Sequence, residues 1–367
     1  MVFKKPICRQ EILDIKPYVP GKPIEEVERE FGIKQVIKLA SNENPLGPSP
    51  KAVEALKSKI KDIYMYPDGS CYYLKGAIAQ KLGAEEENIL VGNGSDEIIK
   101  LISEAYLYPG DEVIIPKPSF SEYEFGAKVM GGKCVFSPLK DFRIDLFDML
   151  EKLTSKTKMI YVCNPNNPTG TIVYREEVEQ FLNEVPDHIL VIFDEAYYEY
   201  VTDSHYPQTV NYVLEGRPNV VVLRTFSKIY GLAGLRVGYA VGPSSVIADV
   251  DRVREPFNVN MLAQAAAVAA LEDEEHVKRS FEINNEGKSF LYDKFEKLGI
   301  KYWPTEANFI WADIGKNVKE VFQEMLRKGV IIRTGDIFGY NTFVRITIGT
   351  PEQNKRLIEV LEEVLLA

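Results

Sequence analysis

Strand-like runs of mostly apolar residues alternate with amphipathic stretches over the first two thirds of the chain. The runs lie at 88–91, 112–116, 159–163, 189–193 and 220–224. Between several of them, apolar residues recur at helical spacing, at 98–106, 148–153 and 176–182. Continuous apolar runs are typical of strands buried on both faces. The pattern therefore predicts an α/β fold with a mostly parallel sheet covered by helices.

The two ends of the chain have different patterns. Proline-rich sequence followed by a helical stretch at 25–31 predicts an N-terminal arm. From about residue 260, a long helix and apolar runs at 309–312, 329–333 and 343–348 predict a smaller α/β unit. We expect three parts: an arm (1–44) that joins the small domain, a large domain (45–258) and a small C-terminal domain (259–367).

The composition limits the possible partners. A net charge of −10 argues against nucleic acid or an anionic membrane surface, so any cationic pocket must be local. The N-terminus has no apolar segment typical of a signal peptide, and the longest apolar stretch, 261–271, is too short to span a bilayer. The four cysteines form no Cys-x-x-Cys pair and the three histidines lack ligand spacing. We expect a cytoplasmic protein without a metal.

Residues 223–239 contain the first candidate chemistry. Lys228 follows Ser227 at the end of a strand-like run, and Arg236 comes eight residues later. An amine beside a hydroxyl and a guanidinium suits a Schiff base with a phosphorylated aldehyde, because the amine attacks the carbonyl while the other groups hold the phosphate. Alone, the segment also fits a surface lysine in a glycine-rich loop, so the interpretation depends on three further segments.

A carboxylate and a phenol end another buried strand. Asp194 and Tyr197 follow the apolar run at 189–193, at the edge where open α/β sheets bind ligands. A carboxylate there can pair with a pyridinium nitrogen and keep it protonated, which makes pyridoxal phosphate an electron sink. Tyr197 would donate to the phenolate oxygen of that ring. Asn167, in the proline-rich turn 164–170, would share this oxygen.

The segment 91–97, Val-Gly-Asn-Gly-Ser-Asp-Glu, joins a strand-like run to a helical stretch. A glycine-rich turn that enters a helix presents backbone N–H groups to an anion, so Gly94, Ser95 and Asp96 predict a phosphate site. The spacing matches neither a P-loop nor a dinucleotide fingerprint, which argues against a nucleotide.

Together and in this order, these segments resemble the pyridoxal-phosphate-dependent aminotransferases of fold type I, class I/II. The resemblance covers nearly the whole chain and implies pyridoxal 5'-phosphate as cofactor and a homodimer. It implies that Phe120 stacks on the cofactor ring, that Tyr66 reaches the phosphate in the neighbouring subunit, and that Arg345 anchors the substrate. The catalytic residues it implies are Lys228, Asp194 and Tyr197. The cofactor-binding residues are Tyr66, Gly94, Ser95, Asp96, Phe120, Asn167, Asp194, Tyr197, Ser227, Lys228 and Arg236.

Within this family the chain looks most like the branch that transaminates histidinol phosphate. The resemblance rests on the segments 16–22, 39–45, 66–68 and 307–309 and on the pair Arg333 and Arg345. It implies transfer of the amino group of L-histidinol phosphate to 2-oxoglutarate, giving imidazole acetol phosphate and glutamate, in histidine biosynthesis. A phosphate monoester needs more hydrogen-bond donors in its binding site than a carboxylate does. The expected substrate-binding residues are Tyr18, Asn44, Arg333 and Arg345.

Three alternatives stay open at this point. If Arg333 is a structural residue and only Arg345 meets substrate, an aromatic or broad-specificity aminotransferase fits better. A threonine-phosphate decarboxylase belongs to the same branch. A non-catalytic cofactor-binding regulator is the third alternative, and the absence of a helix-turn-helix extension or basic patch in the sequence argues against it.

Overall fold

The computed structural model describes residues 8–13, 15, 17 and 21–366. Its strands are β1 (Ile37–Leu39), β2 (Ile89–Gly92), β3 (Glu112–Lys117), β4 (Lys133–Pro138), β5 (Thr157–Cys163), β6 (Leu190–Asp194), β7 (Val220–Thr225), β8 (Gly238–Val241), β9 (Lys301–Trp303), β10 (Phe309–Asp313), β11 (Val330–Thr334) and β12 (Phe343–Thr347). Its α-helices are α1 (Ile24–Phe31), α2 (Pro50–Lys59), α3 (Tyr72–Leu82), α4 (Ser95–Tyr106), α5 (Ser121–Val129), α6 (Leu146–Glu151), α7 (Arg175–Glu184), α8 (Thr209–Leu214), α9 (Ser244–Asp251), α10 (Met261–Leu271), α11 (Glu274–Lys297), α12 (Val318–Arg327) and α13 (Pro351–Leu366).

A seven-stranded sheet has the order β2-β8-β7-β6-β5-β3-β4. Neighbouring strands are parallel from β4 to β7, and β8 alone is antiparallel to both of its neighbours. The α/β fold class with a mostly parallel sheet is therefore confirmed. All residues of β6 and β7 are buried, as their continuous apolar sequence predicts for strands covered on both faces.

The parallel order brings the carboxyl ends of β5, β6 and β7 together at one edge of the sheet. The turn that contains Asn167 follows β5, Asp194 ends β6, and Lys228 follows β7. The strand β8 begins at Gly238, two residues after Arg236, because Arg236 has a left-handed backbone (φ 54°) that cannot continue a strand.

A second sheet has the order β1-β11-β12-β10-β9. The described arm contributes β1, which pairs in parallel with β11. Buried apolar side chains form one core around the seven-stranded sheet and another around the five-stranded sheet. Separate cores are typical of separate domains. We therefore still propose that residue 44 ends the arm and that residue 258 ends the large domain.

The long helix predicted from about residue 260 is two helices, α10 and α11. The second helix begins where the Asp273 side chain accepts a hydrogen bond from the His276 amide (3.3 Å). An acidic cap of this kind starts a helix anew rather than continuing one. Within the described part of the chain, every helix is too short or too polar to cross a bilayer.

Candidate active site

Lys228 lies just beyond the end of β7, where the chain leaves the sheet. Its Nζ donates to the Ser41 carbonyl (3.4 Å) and lies 5.5 Å from the centre of the Tyr197 ring. Burial, and then the positive charge of Arg345, lower the pKa of the amine from 10.5 to about 8. Lys228 is therefore more often neutral, and so more nucleophilic, than a solvated lysine.

Asp194 ends β6 as a buried carboxylate, only 3% exposed. Its Oδ2 accepts from the Tyr123 hydroxyl (2.6 Å) and its Oδ1 from the Ala196 amide (3.2 Å). Burial raises its pKa from 3.8 to about 6, although both hydrogen bonds act in the opposite direction. A desolvated carboxylate in this position gains strongly from a cationic partner.

Tyr197 and Asn167 lie in the same region but have different hydrogen-bond partners. The Tyr197 hydroxyl accepts from Asn42 Nδ2 (2.9 Å), while Asn167 Oδ1 accepts from Arg345 Nη1 (2.6 Å). Arg345 also donates to the Ala40 carbonyl (2.6 Å). Burial raises the pKa of Tyr197 above its usual value, so the phenol keeps its proton and can donate it in a hydrogen bond.

The start of α4 lies close to the Arg236 guanidinium. Gly94 precedes the first helical residue with φ +81°, and Arg236 Nη2 lies 2.8 Å from Asp96 Oδ2. A Cβ on Gly94 would lie 2.8 Å from Arg236 Nη2, and a Cβ on Gly238 would lie 2.7 Å from the Ser95 nitrogen. Glycine at both positions therefore permits this close approach.

Ser227 belongs to the same region because the strands β7 and β8 continue their pairing beyond β7. The Phe226 amide donates to the Val237 carbonyl (3.1 Å), which brings residues 227 and 236 close together. Thr225 Oγ1 donates to Ser227 Oγ (3.0 Å) and accepts from the Ser227 amide (3.1 Å). These bonds hold the Ser227 hydroxyl against Thr225, and its contact with a phosphate stays a prediction.

Three further residues that the sequence predicts for the site are Phe120, Tyr66 and Asn44. Phe120 caps α5 and its ring meets the edge of Tyr123, with centroids 5.7 Å apart. Tyr66 is 81% exposed and stacks on Phe257 at 4.8 Å. Asn44 Nδ2 donates to the Ile229 carbonyl (2.7 Å), the residue after Lys228. Its substrate contact stays a prediction.

The two arginines that are predicted to bind substrate lie opposite each other on neighbouring strands of the five-stranded sheet. Arg333 and Arg345 are direct partners in the register of β11 and β12, so their side chains leave the same face of the sheet. A Cβ on Gly21 would lie 3.9 Å from Arg333 Nη1, which places the arm beside this guanidinium. Tyr18 lies outside the described residues.

Sequence reasoning missed two side chains that contact the site. Tyr123 donates to Asp194, and its spacing of three residues from Phe120 in the first turn of α5 was the available signal. Asn42 donates to Tyr197 and accepts from Thr347 Oγ1 (3.1 Å). It lies in the same segment as Asn44, and nothing in the local pattern distinguishes the two asparagines.

A model of the aminotransferase class I and II family matches residues 34–361. The chain belongs to this family. It is 61% identical over 360 residues to a histidinol-phosphate aminotransferase of Moorella thermoacetica, covering 98% of this chain and 93% of that protein. A histidinol-phosphate aminotransferase 2 of Carboxydothermus hydrogenoformans is 49% identical, covering 98% and 99%.

The fold also matches solved structures of the family. The crystal structure of a histidinol-phosphate aminotransferase from Sinorhizobium meliloti, in complex with pyridoxal-5'-phosphate, superposes with a TM-score of 0.91 at 28% identity. The match covers 98% of both chains. The order and pairing of elements described above are therefore those of an aminotransferase.

The described residues fit pyridoxal phosphate group by group. The glycine-lined space beside Arg236 and Ser95, which a Cβ would fill, suits a phosphate. The buried carboxylate of Asp194, which accepts hydrogen bonds from Tyr123 and the Ala196 amide, suits a protonated ring nitrogen. The Tyr197 phenol suits the ring's phenolate oxygen, and the lowered pKa of Lys228 suits attack on the aldehyde.

Proposed function

We propose that the chain catalyses the reversible transfer of the amino group of L-histidinol phosphate to 2-oxoglutarate. The products are imidazole acetol phosphate and glutamate, in histidine biosynthesis. The observation that carries this proposal is the 61% identity, over 98% of the chain, to a histidinol-phosphate aminotransferase. The paired positions of Arg333 and Arg345 on the sheet face that approaches Asn167 support a substrate with a phosphate group.

The cofactor of the proposed reaction is pyridoxal 5'-phosphate, which when bound supplies an electron sink for the substrate carbon that loses its proton. We assign the proton transfers to Lys228, whose Nζ is the base with a pKa of about 8. Asp194 holds the positive charge of the ring nitrogen. Tyr197 would donate a hydrogen bond to the ring's phenolate oxygen, and Asn167 would contact the same oxygen.

The same proposal gives the phosphate of the cofactor several donors. Arg236 contributes a guanidinium, Ser227 a hydroxyl, and residues 94–96 the backbone amides at the start of α4. Phe120 lies at the N-terminus of α5 and would stack on the ring. These donors would bind the cofactor phosphate and orient the cofactor relative to Lys228.

We assign the phosphate of the substrate to Arg333 and Arg345. Arg345 is only 7% exposed, and its Nη1 and Nη2 each donate to a neighbour near Lys228. Two guanidiniums present several donors in a planar fork, which a phosphate dianion accepts better than a single carboxylate does. Tyr18 and Asn44 complete the proposed substrate site.

Arg333→Ala tests the phosphate assignment. We expect kcat/KM to fall about a hundredfold for histidinol phosphate and less than about fivefold for glutamate, because only the former loses a charge-assisted contact to phosphate. Arg327→Ala is the matched control, because Arg327 is a surface residue of α12 with a 57% exposed side chain paired to Glu324. Equal losses for both substrates would favour an aromatic aminotransferase, and phenylalanine with 2-oxoglutarate would then be the better pair.

We also propose a homodimer with active sites at the subunit boundary. Large apolar side chains are exposed at Ile60, Ile63, Tyr64, Met65, Tyr66, Tyr72 and Tyr73. A contiguous exposed apolar segment of this kind is typical of a protein interface. Tyr66 belongs to it, so a partner subunit that covers this segment would receive Tyr66 at its cofactor phosphate.

The buried free thiols of Cys71 and Cys163 support a reducing compartment, which we propose is the cytoplasm.

A further inference from the structure

The first turn of α5 brings two aromatic rings to the site. Phe120 caps the helix and Tyr123 follows three residues later, so both side chains leave the same side of the helix start. The Tyr123 ring is fully buried. It stacks on Tyr161 with centroids 4.4 Å apart and planes at 11°, and Phe120 meets it edge-on at 5.7 Å. Packing on two sides therefore fixes the position of the phenol.

The Tyr123 hydroxyl is aimed at Asp194. It donates to Oδ2 at 2.6 Å, while the Ala196 amide donates to Oδ1 at 3.2 Å. A phenol–carboxylate hydrogen bond of this length is charge-assisted and stronger than a neutral one. Because each carboxylate oxygen has its own donor, the plane of the Asp194 carboxylate is fixed.

The phenol stays a donor over the working pH range. Burial, and then the charge of Asp194, raise the pKa of Tyr123 well above 10. The thiol of Cys163 also faces it, and burial raises the pKa of that thiol to about 12, so it stays neutral. The charged groups that act on Asp194 are Asp96, which raises its pKa, and Lys228, which lowers it. The nearby phenols of Tyr161 and Tyr197 stay protonated through burial.

We propose that Tyr123 is a positioning residue that acts through Asp194. Its hydroxyl fixes the plane of the carboxylate and favours the ionised form against the cost of burial, so that Asp194 can hold the positive charge on the cofactor's ring nitrogen. The inference rests on the proposed function, because it assigns Asp194 that task.

Tyr123→Phe removes the hydroxyl and keeps the stacked ring. Without this donor the pKa of Asp194 rises, so the proton shared with the ring nitrogen moves toward the carboxylate and the ring becomes less positive. We expect the midpoint of the visible-absorbance pH titration of the holoenzyme to rise by about one unit. We expect kcat to fall about tenfold or more, with KM for the amino donor within about twofold.

Tyr161→Phe is the matched control. It deletes a hydroxyl from the ring stacked on Tyr123, and that hydroxyl makes no hydrogen bond to Asp194. We expect its absorbance titration and kcat to stay within about twofold of wild type. If Tyr123→Phe does not fold, Tyr123→Met is a second variant without a donor and must show the same displaced titration.

A double-mutant cycle separates action through Asp194 from a general structural effect. In the presence of Asp194→Asn, the Tyr123→Phe change should cost less than twofold in kcat, because its target carboxylate is already gone. An unshifted titration in folded Tyr123→Phe, an equal effect in Tyr161→Phe, or additive losses in the cycle would each overturn the proposal. The absorbance titration needs no amino donor, whereas turnover of histidinol phosphate by wild type tests the proposed function, so the two failures are distinguishable.

Discussion

Lys228 shows how burial changes the chemistry of a single residue. Its pKa is lowered from 10.5 to about 8, so the neutral amine accumulates as pH rises through 8 and is about one-tenth of the total at pH 7. We predict that the rate of covalent attachment of pyridoxal phosphate to the cofactor-free protein is half-maximal near pH 8 and levels off above that pH. Borohydride reduction measures the attachment, and Lys228→Ala should give no reducible adduct. A rate that is half-maximal only near pH 10.5 would contradict the prediction.

Asp194 is the second residue whose role depends on charge rather than shape. Asp194→Asn keeps the size of the side chain but cannot hold a pyridinium, so we predict a loss in kcat of about a hundredfold or more. Steady-state kinetics with saturating cofactor measure the loss. Asp187→Asn, at an exposed position outside the site, is the control and should leave kcat unchanged. A near wild-type kcat in Asp194→Asn would remove this residue from its proposed role.

At the scale of elements, the phosphate site depends on how closely β8 approaches the start of α4. A Cβ on Gly238 would lie 2.7 Å from the Ser95 nitrogen and 3.0 Å from the Arg224 carbonyl, and backbone atoms cannot rotate away. We predict that Gly238→Ala weakens cofactor binding about tenfold or more and lowers Tm by several degrees. Fluorescence titration and thermal unfolding measure the two effects.

Gly234→Ala is the control for this element. Gly234 lies four residues before Gly238, between Lys228 and Arg236, but a Cβ there would have no neighbour within 4 Å. We expect it to leave the cofactor Kd and Tm unchanged. Similar losses in both alanine variants would indicate that the segment, and not the approach of β8 to α4, limits cofactor binding.

At the scale of the whole molecule, the exposed position of Tyr66 allows a test of the proposed homodimer. If each site takes Tyr66 from the partner subunit, Lys228→Ala and Tyr66→Ala chains should each be inactive alone. After subunit exchange, mixed dimers should contain one intact site, which restores activity to about a quarter of the sites in an equal mixture. Failure to complement, with exchange shown by light scattering of tagged chains, would argue against a shared site.

The central strands of the seven-stranded sheet and the main chemical groups of the candidate site were predictable from the amino-acid sequence. Continuous apolar runs predict parallel strands, and residues that follow such strands meet at one edge of the sheet, as Asp194 and Lys228 do. The fold class and the family followed from these segments. The catalytic roles themselves stay predictions, because they concern bound molecules.

The side chains that support these groups could be identified only from the packing of distant elements. Tyr123 is 71 residues from Asp194 in sequence, and Asn42 is 155 residues from Tyr197, so no local period relates either pair. The opposed positions of Arg333 and Arg345 depend on the register of two strands, which packing selects. Edge strand β4 was also missed, because its residues are only partly buried and lack a continuous apolar pattern. Sequence patterns record which face of an element is buried, whereas hydrogen-bond partners depend on how distant elements pack together.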